Sequence, residues 1–93
     1  MTLLLKDPQS RVDYRFDWHA QYAANELIEQ SSWTIIPVHE NGVAIVGDGH
    51  DGTHSFVSIE GGKIGATYSL SNKIIFTNGT WDERSISVRV ENL

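Results

Sequence analysis

Apolar and polar residues alternate with a period of two along much of the chain, the pattern of strands that bury one face. In "VDYRFDW", Val12, Tyr14, Phe16 and Trp18 alternate with Asp13, Arg15 and Asp17. "SSWTIIPV" predicts a strand broken at Pro37, which has no N–H to give a ladder and so suits an edge or a strand end. "GVAIVG" is a short strand between Gly42 and Gly47, "GDGHDG" is turn material, and "THSFVSIE" is a strand centred on Phe56 and Val57. The strongest strand is "TYSLSNKIIFT": Tyr68, Leu70, Ile74 and Phe76 share one face, and Asn72 falls on that face as an exception. "TNGT" predicts a type I′ hairpin turn, because Asn-Gly tolerates the positive φ it needs. "RSISVRV" places Ile86, Val88 and Val90 inward, with Ser85, Ser87 and Arg89 outward.

Only "HAQYAANELIEQ" has helical composition, and it is too short and too weakly periodic for more than a turn leading into a strand at Leu27-Ile28. About seven short strands, each followed by a turn signal, predict an all-β sandwich or barrel. Residues 1–11 are expected as an extended arm, because the residue before Pro8 avoids helical geometry. A single domain spans 12–93. Leu3, Leu4 and Leu5 in the arm are candidate partner contacts, and removal of residues 1–8 is expected to leave the fold intact.

The chain has 93 residues, 40% of them apolar, which allows one core. It has no cysteine, so packing must hold it together. Its formal net charge of −5 argues against non-specific nucleic-acid binding and against adsorption to anionic lipid. No run approaches a membrane span, and "MTLLLKDP" is too short for a secretory core, so the chain is expected to be cytosolic at synthesis, with no export signal of its own.

"IEGGKIGATYSLSNKII" sets Gly61, Gly62 and Gly65 around Lys63. A phosphate loop would need Lys directly after the last Gly, then Ser or Thr, and a helix behind it. Here an alternating strand follows, which leaves a turn between strands. Gly61 and Gly62 are expected to take positive φ, and Gly65 to allow close backbone passage. Tyr68 then starts the next strand, where immunoglobulin-like sandwiches place a tyrosine corner whose hydroxyl bonds back to the preceding loop. An ordinary core tyrosine is the competing reading.

In "DGHDGTH", Asp48, His50, Asp51 and His54 are the best metal candidates, but they lack EF-hand spacing, and a polar hairpin tip explains the same composition. There is no GxSxG, and His39-Glu40 has no second His to make HExxH. Asp82 and Glu83 beside Arg84 suit surface pairing. No catalytic residue, cofactor or firm metal site is expected. Trp18 and Trp33 are expected at the core or its rim, whereas Trp81, just after the Asn-Gly turn, is a candidate partner contact.

Four stretches together resemble a known family: "DPQSRVDYRFDWHAQY", "SSWTIIP", "SIEGGKIGATYSLSNKIIFTNGT" and "DERSISVRV". They carry D-Y-x-x-D-W at Asp13, Tyr14, Asp17 and Trp18, and a form of I-x-x-S-x-W at Ile28, Ser31 and Trp33. G-G-x-x-G-x-x-Y-x-x-x-N follows at Gly61, Gly62, Gly65, Tyr68 and Asn72, then D-E-R-S at Asp82 to Ser85. The pattern resembles the small Ig-like virion proteins of tailed bacteriophages known as fiber–tail adaptors, and it covers most of Asp7 to Val90. The resemblance implies an immunoglobulin-like β-sandwich of phage or prophage origin, structural and non-enzymatic, in the virion tail. Its partners would be other tail or tail-fiber proteins, in a homo- or hetero-oligomer. The alternative is an Ig-like ligand- or carbohydrate-binding module, using Trp81 and the Asp/His loop with calcium.

Overall fold

The computed structural model describes residues 2–18 and 26–93. The described residues form seven strands: β1 Leu3–Lys6, β2 Arg11–Asp17, β3 Ile28–Ile36, β4 Val43–His50, β5 His54–Gly61, β6 Thr67–Phe76 and β7 Trp81–Val90. They form two sheets, one in the order β1-β7-β6-β3 and one in the order β2-β5-β4. All strand pairs are antiparallel except β1, which runs parallel to β7. The β7-β6-β3 and β2-β5-β4 orders agree with those of an immunoglobulin-like sandwich. Residues 19–25 of the helix-like stretch 19–30 lie outside the described residues; β3 begins at Ile28, where a strand is expected.

The alternation seen in the sequence becomes the core. Phe16 and Trp18, Val57 and Ile59, Tyr68, Leu70, Ile74 and Phe76, and Ile86, Val88 and Val90 meet between the sheets, all buried. β3 ends at Ile36, directly before Pro37, and lies at the edge of its sheet, where a missing N–H disturbs no ladder.

Three local expectations change. β4 continues through Asp48, Gly49 and His50, so the turn is confined to residues 51–53. A bulge between Ile45 and Gly47 lets the longer strand stay paired with β5. The Asn-Gly hairpin is not type I′. Only Gly79 takes a positive φ there, of 89°, and its N–H donates to Phe76 O at 2.9 Å. This is a type I turn closed by a left-handed glycine, the common three-residue hairpin loop. Asn78 instead accepts from Thr80 N through its side chain at 3.0 Å.

The third change concerns the N-terminal stretch. Leu3–Lys6 is an integral strand, registered as Leu3↔Ser87 through Lys6↔Val90. Lys6 points inward and is fully buried. Its Nζ donates to Asp7 O at 2.9 Å, Ser10 O at 2.6 Å and Gly61 O at 2.7 Å. Burial pulls the ammonium below the usual lysine range, opposed by the Asp7 and Glu60 carboxylates. One cation therefore ties β1, the turn after it and the end of β5.

Removing residues 1–8 is accordingly expected to destabilise the sandwich. Lys6→Met should lower its stability by about 3 kcal/mol, because buried carbonyls lose their donor. Urea denaturation checks this, with Lys73→Met on the surface as the control, expected to shift by less than about 0.5 kcal/mol.

Candidate functional site

The glycine-rich loop closes one end of the sandwich. Gly61, Gly62 and Gly65 have φ of 79°, 116° and 84°. The close passage lies at Gly62, where a Cβ would come within 2.6 Å of Val90 and 2.9 Å of Val43, not at Gly65, which faces open space. Gly65 is needed for its left-handed φ instead. Lys63 N–H donates back to Tyr68 Oη at 3.2 Å, the bond that defines a tyrosine corner. His39, from the β3–β4 loop, adds its Nε2 at 3.1 Å from the same oxygen, with Nδ1 3.3 Å from Glu40 O. With the proton on Nδ1, the ring donates to Glu40 O and accepts from Tyr68, whose oxygen accepts from Lys63. No local sequence signal marks His39 as this partner, because it lies 29 residues from Tyr68.

Asn72 is fully buried on the inward face of β6. Its Oδ1 accepts from Ser55 Oγ at 2.5 Å, and Ser55 Oγ accepts from Trp18 Nε1 at 2.9 Å. Its Nδ2 donates to Ser31 Oγ at 2.9 Å and Ser32 O at 3.0 Å. Ser32 O is backbone, and Asn72 sits in regular register opposite Trp33. Ser55 is itself buried and shares the inward parity of Val57 and Ile59. Arg84 lies 4.2 Å over the Trp18 ring and covers it from the side. Trp33 is half-buried and stacks on Phe16 at 5.6 Å with 3° between the planes. Among the described residues its Nε1 is shielded and finds no acceptor.

The four metal candidates do not converge. Asp48 and His50 lie on β4, whereas Asp51 caps the turn after it. Asp51 Oδ1 accepts from Thr53 N at 2.8 Å and His54 N at 2.7 Å. These two backbone bonds hold its carboxyl below the usual carboxylate range, with the Thr53 hydroxyl and His54 adding to the effect. His54 lies 3.6 Å from Asp51 and 3.7 Å from Asp17. Among the described residues, no group of three or more His, Asp or Glu is arranged to hold a metal ion.

Large apolar side chains remain on the outside. Trp81 is 63% exposed, Ile36 61%, Leu3 55% and Leu5 50%; Leu4 instead packs partly on the core. Lys73 Nζ stands 4.6 Å over the Trp81 ring. A hollow of about 380 Å3 opens at the four-stranded sheet, lined by Ile36, Pro37, Thr67, Tyr68, Ser69 and Ser87. On the opposite sheet a smaller hollow of about 240 Å3 lies over Gly47, beside Phe56, Asp13 and Ser58.

Asn72→Leu is expected to cost about 2–3 kcal/mol in chemical denaturation, since it strands Ser55 in the core. Tyr68→Phe should cost about 1 kcal/mol, and pairing it with His39→Ala should give less than the sum of the single changes. For Asp51 the folded-state pKa lies below the unfolded one. Its contribution is therefore complete above pH 3.8 and is lost as pH falls through the lower, folded value. An NMR titration should show Asp51 and the Thr53 and His54 amides moving together with a midpoint below 3.8.

Comparison with curated proteins yields no match. The model of a protein family described as podophage GP4 fiber-tail adaptor protein gp77 matches residues 6–89. That span includes every strand except the first three residues of β1 and the last of β7, and it contains the tyrosine corner and the Asn72 network. The chain belongs to this podophage fiber–tail adaptor family, and its place is that of a structural component of the phage tail.

Proposed function

We propose that the protein acts without catalysis or cofactor, joining tail and tail-fiber proteins through its outer surfaces as one of several copies. Contact with protein rather than nucleic acid or membrane accords with its net charge of −5. Assembly takes place in the bacterial cytoplasm before the particle is complete. The observation that carries this reading, beside the family match, is the set of exposed apolar side chains on one sheet. Leu3, Leu5, Ile36 and Trp81 are large, and all project from strands or strand ends of the four-stranded sheet. Exposed aromatic and aliphatic groups on a rigid scaffold are what protein interfaces use as anchors. The buried polar groups serve a different purpose: Asn72, Ser55 and Lys6 bond within the sandwich and hold it rigid.

The test is particle assembly in a phage lacking this gene, complemented with variants. Loss of the protein should give tails without fibers in electron micrographs. A Leu3→Ser/Leu5→Ser variant that melts like the wild type should restore fewer fibers than the wild type does. Fibers at wild-type occupancy on particles that lack the chain altogether would refute the adaptor role.

A further inference from the structure

We infer that β2, at the open edge of the three-stranded sheet, pairs antiparallel with β2 of a second copy about a two-fold axis at Tyr14. This rests on the reading above that the protein acts through protein contacts as one of several copies, and it gives one edge of the sandwich a stated occupant.

Each sheet has two edges, held by β1 and β3 in one and by β2 and β4 in the other. Open edges invite pairing with another chain, and proteins blunt them with short strands, bulges or proline. β1 has four residues, β3 has an irregularity between Ile28 and Gln30 and stops before Pro37, and β4 has the bulge between Ile45 and Gly47. β2 has none of these devices. Its seven residues pair with β5 without a shift, from Arg11↔Glu60 to Asp17↔His54. Constant-type immunoglobulin sheets lay their first strand along this edge. Here β1 pairs with β7 in the other sheet instead.

The backbone of β2 is oriented for a partner. Trp18 N–H donates to Thr53 O at 2.9 Å, one step beyond the Asp17↔His54 pair. Ladder bonds alternate along an antiparallel pair, so Val12, Tyr14 and Phe16 bond to β5 as Trp18 does. Arg11, Asp13 and Arg15 turn their N–H and C=O groups to the other side, where no described strand lies. Lys6 holds β1 at the Arg11 end of β2, through Ser10 O and Gly61 O. The axis therefore carries the two β1 strands to opposite ends of the new pair.

The charges select the register. Arg11, Asp13, Arg15 and Asp17 are all exposed on the outer side of β2 and alternate in sign. An axis at Tyr14 sets Asp13 opposite Arg15 of the second copy, and Arg11 opposite its Asp17. One operation makes each contact twice, as an isologous interface requires, and every opposed pair attracts. Moving the axis to Asp13 or to Arg15 sets arginine against arginine and aspartate against aspartate, which is destabilising. Among the described residues neither Arg11 nor Arg15 has an ion pair within its own chain. Asp17 already meets His54 at 3.7 Å, and its O accepts from Arg84 at 3.4 Å, so Asp13 and Arg15 carry most of the attraction. On the inner side the half-buried Tyr14 of each copy falls at a non-hydrogen-bonded position, where side chains stand closest.

A single strand edge buries less than the about 1,000 Å2 of a stable complex. Main-chain bonds supply the affinity of such pairings, and side chains their specificity. The dimer of the free chain is accordingly weak, and it gains from the high local concentration of copies in an assembly.

Sedimentation equilibrium on the isolated full-length protein, from about 10 μM to about 1 mM, tests this independently of particle assembly. The wild type should show a monomer–dimer equilibrium. Asp13→Arg and Arg15→Asp are exposed changes, and thermal melts establish that each variant folds. Each sets like charges opposite one another and should weaken the dimer about tenfold or more. An equimolar mixture of the two should associate again, because every opposed pair in the mixed dimer attracts. The double variant Asp13→Arg/Arg15→Asp should likewise return to within about threefold of wild type; it keeps the net charge of −5, so net charge cannot explain the return. A wild type that stays monomeric at about 1 mM overturns the inference. So do single variants that dimerise like wild type, or a loss that neither the mixture nor the double variant restores. Particles that lose fibers with Asp13→Arg while the isolated wild-type chain is monomeric would assign this edge to another tail protein, overturning the inference and leaving the adaptor role intact.

Discussion

The chain of hydrogen bonds from Trp18 through Ser55 to Asn72, and on to Ser31 and Ser32, crosses the middle of the sandwich. It joins β5 of one sheet to β6 and β3 of the other, in a place where every unmade bond would cost roughly 1–3 kcal/mol. Only one pairing of β6 with its neighbours satisfies all of these groups. A slip by one residue would turn Asn72 outward and put Ser71 and Lys73 in the core. Apolar packing alone discriminates less sharply, because several aliphatic arrangements fill similar volume. The network thus fixes the parity of β6 and, through the ladder, that of β7. The outward placing of Ser69, Ser87 and Trp81 follows from what is bonded inside.

Lys6 plays the corresponding part at the sheet edge. A parallel strand of four residues offers few ladder bonds of its own. Its lysine compensates by reaching three carbonyls on two other segments. Tyr68 and His39 bind the loops at the same end of the molecule. Among the described residues the few buried polar ones, Lys6, Ser55 and Asn72, therefore act as ties within an apolar core, while several large apolar side chains remain on the outside. That division suits a connector, which must hold a fixed shape while presenting surface to neighbours.

Period-two alternation predicted the strands because a sheet that buries one face leaves no freedom in which residues point inward. The tyrosine-corner geometry was legible because its parts lie within eight residues, Gly61 to Tyr68, and glycine at positive φ has a local cause. Asn72 was legible only as an anomaly: its parity placed it inside, but its partners Ser31 and Ser55 are 41 and 17 residues away. The hairpin type was misjudged because Asn-Gly permits more than one turn, and the registers of β6 and β7 select among them.

Local periodicity and motif spacing suffice for the all-β class, for the inward sets on β2, β6 and β7, and for the family to which the chain belongs. Tertiary structure alone decided that Leu3–Lys6 is a strand rather than a free arm, because a lysine reads as surface until three carbonyls converge on it. It also decided that Ser55 and His39 are structural, and that Trp81 shares a face with Ser69 and Ser87. These depend on contacts between distant segments, which only the register of the assembled sheets brings together.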